Sequence, residues 1–63
     1  MTLTKDHLTQ LRAVADAGLL WPGDTLSHGL AEDLAELRLI ARIEGWWAIT
    51  SEGLKVLARE EQP

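Results

Sequence analysis

The sequence predicts an α+β domain that is mainly α-helical, with three helices and a two-stranded β-hairpin. Apolar residues recur every three or four positions in three segments, which is the period of an amphipathic helix. Residues 38–50 are instead rich in branched and aromatic side chains, which favour strands. A Glu-Gly pair divides this stretch, and two strand-like runs separated by such a pair are typical of a hairpin.

Composition limits both the size and the chemistry of the domain. A chain of 63 residues, 46% of them apolar and 25% charged, has room for one small core. The absence of cysteine excludes disulfides and thiolate-bound zinc, and two histidines make a weak metal site. We therefore expect one domain over residues 1–63, with no metal and no cofactor, and with residues 59–63 as a frayed tail.

Charge and targeting signals indicate the kind of partner and the compartment. Ten acidic and six basic residues give a net charge of −4, which disfavours a polyanionic partner. The N-terminus M-T-L-T-K-D-H-L does not resemble a signal peptide, and no apolar run is long enough to span a membrane. The sequence therefore predicts a cytoplasmic protein with no membrane partner.

The first helix is predicted over residues 4–17, where four apolar residues share one face. These residues are Leu8, Leu11, Val14 and Ala15. Thr4 can cap the N-terminus, and Gly18 can adopt the left-handed conformation that commonly follows a helix. His7, in the first turn, is interpreted as a surface residue.

A turn should separate the first two helices. Pro22 and Gly23 suit the central positions of a type II turn, and Pro22 also keeps the preceding residue out of the helical region. Trp21 is interpreted as a core residue at the mouth of this turn. The chain therefore reverses direction before the second helix begins.

The second helix is predicted over residues 26–37, with Asp24 or Thr25 as its N-cap. Its apolar positions recur every three or four residues. They are Leu26, Leu30, Leu34 and Leu37. The opposite side of the helix carries Glu32, Asp33 and Glu36.

The hairpin has a defined register if Glu44 and Gly45 form a two-residue loop. The predicted pairs are Ile43 with Trp46, Arg42 with Trp47, Ala41 with Ala48, and Ile40 with Ile49. Because side chains alternate along a strand, the adjacent tryptophans must face opposite ways. One face holds Ile40, Trp47 and Ile49. The other holds Ala41, Ile43, Trp46 and Ala48.

A third helix should follow the hairpin, with Thr50 as its N-cap and a narrow apolar stripe. That stripe consists of Leu54, Leu57 and Ala58. The three helices and the hairpin together define a predicted core. Its members are Leu8, Leu11, Leu30, Leu34, Leu37, Ile40, Trp47, Ile49, Leu54 and Leu57.

The stretch L-A-E-L-R-L-I-A-R-I-E-G-W-W-A-I-T-S-E-G-L-K-V-L, residues 34–57, resembles the wing region of winged-helix proteins. In that family a recognition helix leads into a short strand, a glycine-containing wing tip and an aromatic strand that ends in Thr-x-x-Gly. The resemblance implies that residues 26–37 form the recognition helix and residues 44–45 the wing tip. Too few residues follow Gly18 for the additional helix of a full helix-turn-helix, so the expected fold is abbreviated.

No residue cluster in the sequence predicts catalysis. Ser27 and His28, with Asp24 nearby, suggest a hydrolase, but adjacent helical residues point roughly 100° apart. The acidic residues of the second helix lack the glycine-punctuated loop of a calcium site, so they are interpreted as a solvated helix face. We therefore expect a protein that is not an enzyme.

Two functions remain, with charge favouring the first and family resemblance the second. The first is a regulatory module that binds a protein partner or its own copy through the hairpin and the acidic helix. Its interface would comprise Ala41, Ile43, Trp46, Ala48, Glu32, Asp33 and Glu36. The second is a dimeric DNA-binding transcriptional regulator. Its contacts would come from Ser27, His28, Arg38 and Arg42. A further alternative is that a helix of the same chain covers Trp46.

Overall fold

A computed structural model describes residues 3–25 and 27–61, with the side chains of His28 and Glu61 left out. The described elements follow the chain as α1 (Lys5–Ala17), β1 (Leu19–Leu20), a 3-10 turn (Pro22–Asp24), α2 (His28–Glu36), β2 (Ile40–Ile43), β3 (Trp46–Ile49) and α3 (Ser51–Glu61). The α+β prediction with three helices is confirmed for the described part of the chain.

The sheet is antiparallel and has three strands in the order β1-β3-β2, so the predicted two-stranded hairpin was incomplete. The missed strand pairs Leu19 with Ala48 and Leu20 with Trp47. Two residues are too few to show the alternating pattern by which a strand is recognised in sequence. Only the pairing with β3 reveals it.

All four predicted pairs between β2 and β3 are confirmed, from Ile40 with Ile49 to Ile43 with Trp46. Glu44 and Gly45 form the loop with φ of 51° and 87°, respectively. Positive φ at both central residues is the requirement of a type I′ hairpin turn, whose twist matches that of the strands. The local turn therefore sets the register and sends Trp46 and Trp47 to opposite faces.

Helix α1 begins and ends as predicted, but its first turn contains a buried side chain that the sequence did not predict. The Thr4 side chain accepts a hydrogen bond from the His7 backbone N–H at 3.2 Å, and the His7 ring accepts one from the Thr4 N–H at 3.2 Å. This reciprocal pair is a capping box with histidine in place of glutamate. His7 is buried, so its interpretation as a surface residue was wrong.

Helix α2 is shorter than predicted at both ends. Ser27, and neither Asp24 nor Thr25, is its N-cap, with the hydroxyl accepting from the Leu30 N–H at 3.1 Å. Pro22 to Asp24 form a 3-10 turn rather than a type II turn, and this displaces the helix start. Leu26 lies outside the described residues. The helix ends at Glu36 because Arg38 adopts φ of 62°.

Thr50 joins three elements, which gives the Thr-x-x-Gly sequence a structural role. Its hydroxyl accepts from the Gly53 N–H at 3.1 Å and so caps α3 as predicted. Its backbone N–H donates to the Leu39 carbonyl at 3.0 Å. Helix α3 continues to Glu61, where the sequence predicted a frayed tail, and Gln62 and Pro63 lie outside the described residues.

The core lies between α1 and one face of the sheet, with α2 and α3 at its sides. Its buried members are Leu11, Val14, Leu20, Ala31, Leu34, Leu39, Ile40, Trp47 and Leu57. Of the ten predicted core residues, Leu37 and Leu54 are instead exposed. Leu37 follows the last helical residue of α2, so the helical phase no longer applies to it. In α3 the backbone at Gly53, rather than the Leu54 side chain, approaches the core.

Gly53→Ala is expected to destabilise the domain by about 1–3 kcal/mol. A methyl group at Gly53 would overlap the Leu39 carbonyl oxygen and lie 2.7 Å from Cγ1 of Ile49. Alanine favours a helix by about 1 kcal/mol over glycine, but a clash with backbone atoms outweighs that gain. Chemical denaturation would measure the change in free energy of unfolding.

The matched control is Gly29→Ala in α2. A methyl group there would meet only the Ser27 hydroxyl oxygen, at 3.9 Å, which is an ordinary contact. This variant should therefore match or exceed the parent in stability, by up to about 1 kcal/mol. Equal stability of the two alanine variants would contradict the close packing assigned to Gly53.

Candidate protein-interaction surface

The strand register places five apolar residues on the face of the sheet away from the core, and Trp21, just after β1, extends the same surface. We call this surface the outer face. It comprises Leu19, Trp21, Ala41, Ile43, Trp46 and Ala48. Trp46 pairs with Ile43, and Ala48 lies between Leu19 and Ala41 in the central strand. Trp21 follows β1 in extended conformation and reaches the ring of Trp46.

Four large side chains of the outer face remain substantially exposed. Relative exposure is 50% for Leu19, 54% for Trp21, 52% for Ile43 and 38% for Trp46. Single exposed apolar side chains are ordinary, whereas a contiguous group of them is typical of an interaction surface. The four residues are contiguous because Leu19, Ile43 and Trp46 occupy neighbouring strands and the Trp21 ring contacts that of Trp46.

Trp21 partly covers Trp46. The two ring centroids lie 5.1 Å apart with an interplanar angle of 63°, an edge-to-face arrangement. The interpretation of Trp21 as a core residue was therefore wrong. A β-carbon at Gly23 would lie 3.0 Å from the indole nitrogen of Trp21, so the ring occupies space that glycine leaves open. The contact comes from a ring that is itself exposed, and it enlarges the apolar surface.

The charged residue of the hairpin strands lies on the opposite face. Arg42 pairs with Trp47 across β2 and β3, and its guanidinium carbon lies 5.0 Å from the centroid of the Trp47 ring. At this distance a cation is attracted to the face of the indole. Every residue of the outer face is consequently apolar.

The acidic residues of α2 do not form one free surface. Glu32 and Glu36 are exposed, but Asp33 contacts α1. Its carboxylate oxygen Oδ2 lies 3.0 Å from Nε2 of His7. Because Nδ1 of the same ring accepts from the Thr4 N–H, the ring proton lies on Nε2. Nε2 therefore donates a hydrogen bond to the Asp33 carboxylate. Asp33 therefore joins α2 to the capped start of α1.

The position of His7 offered the one sequence signal for this contact. It stands three residues after the Thr4 N-cap, which is the capping-box position normally held by glutamate or glutamine. A histidine that caps with Nδ1 presents Nε2 to another element. No sequence pattern identifies Asp33 as that element, because the contact spans 26 positions.

The residues proposed for DNA contact do not converge. Ser27 caps the start of α2 and Arg38 follows its end, about 13 Å away along a helix of nine residues. Arg42 stacks over Trp47 in the sheet. His28 begins α2, and its side chain is not described. The arginines therefore lie near the hairpin and Ser27 at the far end of the helix.

The described residues contain no metal-binding cluster. The Ser27 hydroxyl is occupied as a helix cap, accepting from the Leu30 N–H. No group of three or more His, Asp or Glu side chains within residues 3–25 and 27–61 could hold a metal ion. The outer face is thus the candidate site with the clearest chemical character.

Fold and surface together define a small α+β domain with one apolar sheet face exposed. Three helices and a three-stranded antiparallel sheet are compatible with a winged-helix-like arrangement. No family model matches the chain, and neither do curated proteins or solved structures. Among the described residues, no helix is both long and apolar enough to cross a bilayer.

Proposed function

We propose that this protein is a non-enzymatic regulatory module that binds protein through the outer face of its sheet. The observation that carries the proposal is the contiguous apolar surface formed by Leu19, Trp21, Ile43 and Trp46. The scaffold is compatible with an abbreviated winged helix, because only a short strand and a 3-10 turn lie between α1 and α2. Glu32 and Glu36 remain available as secondary contacts.

The energetics of burial support a protein ligand. Trp21 and Trp46 are 54% and 38% exposed, so their combined exposed area is close to that of one whole aromatic side chain. That area is roughly 150–250 Å². Removing that area from water is worth about 4–6 kcal/mol at the usual coefficient. A complex with an apolar protein surface is stabilised by this burial. A phosphate backbone has little apolar area with which to cover the tryptophans.

DNA binding is the second candidate function, favoured by the position of α2 directly before the hairpin. A helix in that position could enter a groove of duplex DNA while the hairpin contacts phosphates. The exposed Glu32 and Glu36 on that helix oppose such binding, because phosphate contacts require cations. The net charge of −4 acts in the same direction.

Parallel selections from a random peptide library and a random duplex-DNA library test both functions. The chain is immobilised sparsely, at physiological salt, so that self-association does not compete. We expect enrichment of apolar or aromatic peptides, because they can bury the outer face, and no tight DNA complex. Isolated duplexes should bind no better than the roughly 10⁻⁴ M end of the non-specific range.

Ile43→Lys and Leu54→Lys are the matched variants for the selection. Both replace an apolar side chain that is about half exposed, the first on the outer face and the second on α3. Only Ile43→Lys should lose the selected peptides. Peptides retained by Ile43→Lys, or no enrichment at all, would overturn the protein-binding proposal. A salt-sensitive, sub-micromolar complex with one DNA sequence would support the alternative.

A further inference from the structure

We infer that the outer face binds the outer face of a second copy of this chain, in a two-fold dimer with strand directions reversed. The inference rests on the proposed function and names its partner. It depends on three properties of the outer face. These are its neutrality, the division of its side chains into a row of large residues and a row with two alanines, and the placement of charge at the two ends of the hairpin.

The outer face consists of two rows that run across the strands. The row next to the hairpin turn, which we call the tip row, contains Trp21, Trp46 and Ile43. The row further from the turn, which we call the base row, contains Leu19, Ala48 and Ala41. The rows are two residues apart along the strands, or about 7 Å. All three side chains of the tip row are large, whereas two of the three residues of the base row are alanines.

A two-fold axis that lies between the sheets and crosses the strands makes these rows complementary at the positions of β2 and β3. It reverses strand direction and keeps β1 over β1 and β2 over β2. Trp46 of one copy then lies over Ala48 of the second copy, and Ile43 lies over Ala41. Packed sheets are about 10 Å apart with interdigitating side chains, so a large side chain over a small one fills the gap.

Charge favours the same orientation. Glu44, in the hairpin turn, is exposed beyond the tip row, and Arg38 is exposed before β2, beyond the base row. Reversed strands bring Glu44 of one copy towards Arg38 of the other. Parallel strands would instead bring the two Glu44 residues together. Because all six outer-face residues are apolar, the centre of this dimer contains no like charges from that face.

Analytical ultracentrifugation of the full chain over a wide concentration range tests the inference. The parent should dimerise reversibly. Trp46→Lys and Ile43→Lys should each lower the association constant on the order of thirtyfold, the effect expected at the centre of an interface. Leu54→Lys should associate like the parent. Circular dichroism establishes that each variant is folded. If loss of the contact with Trp21 unfolds Trp46→Lys, the comparison of Ile43→Lys with Leu54→Lys still tests the inference.

Crosslinking tests the orientation, and the lack of native cysteine makes single-cysteine variants unambiguous. Ala41→Cys and Ile43→Cys chains, mixed and treated with a bismaleimide spanning about 10 Å, should crosslink faster to each other than to themselves. A parent that stays monomeric at the highest concentration, or self-pairs that crosslink fastest, would overturn the reversed dimer. A monomer that still selects peptides through Ile43 would leave the proposed function standing.

Discussion

Trp47→Lys should unfold the domain at room temperature. Trp47 lies in the central strand between Leu20 and Arg42, and only 9% of its surface is exposed. Truncating a buried tryptophan costs about 3–5 kcal/mol, and the new ammonium group would be buried beside the Arg42 guanidinium. A domain of 63 residues has roughly 3–9 kcal/mol in total, so the loss takes most or all of its stability.

Far-ultraviolet circular dichroism and thermal melting would compare the folding of Trp47→Lys with that of Trp46→Lys. The two residues are adjacent in sequence, but Trp46 is 38% exposed on the outer face. Trp46→Lys should keep its helical signal and a cooperative melt, and Trp47→Phe should remain folded because an aromatic ring still fills the core. Equal unfolding of the two lysine variants would contradict the assignment of opposite faces.

Leu34→Ala should lower the free energy of unfolding by about 2–5 kcal/mol. Leu34 is fully buried in α2 and belongs to the cluster in which α1, the sheet and α3 meet. Its carbonyl also accepts a hydrogen bond from the Leu39 N–H at 2.9 Å, where the chain leaves the helix for β2. The cavity left by alanine therefore lies at the junction of several elements and has little room to collapse. Urea denaturation would measure the loss.

Leu37→Ala is the control for Leu34→Ala. Both leucines occupy the apolar period of the predicted second helix, but Leu37 follows the last helical residue and is 38% exposed. Its truncation should cost less than half as much as that of Leu34, because fewer contacts are lost and no closed cavity forms. A larger loss at position 37 than at position 34 would show that the sequence-based helical phase, rather than the structure, describes this segment.

The hairpin could be predicted closely from sequence because its determinants are local. Glu44 and Gly45 supply a two-residue loop, and once that loop is set every pair between β2 and β3 follows. The same holds for the caps at Thr4 and Thr50, where the threonine hydroxyl accepts from a backbone N–H only three residues further along the chain. Neighbouring residues determine these features, so the rest of the fold is not needed to find them.

The sequence predicted only part of the candidate site. Alternation along β2 and β3 places Ala41, Ile43, Trp46 and Ala48 on one face, but it says nothing about Leu19 or Trp21. Those residues join the outer face because β1 pairs with β3, a contact between segments nearly thirty positions apart. The acidic part of the predicted site changed for a similar reason, since Asp33 contacts His7 across 26 positions.

The sequence by itself determined the three helices, the hairpin register and the opposite orientation of Trp46 and Trp47, because periodicity, caps and turn residues act over a few positions. Only the tertiary structure decided that the hairpin gains a third strand, that His7 is buried and that Trp21 lies on the surface beside Trp46. These depend on contacts between distant segments, which short-range pattern does not encode. The exposed apolar face is the joint result, since local alternation orients its side chains and long-range strand pairing assembles them.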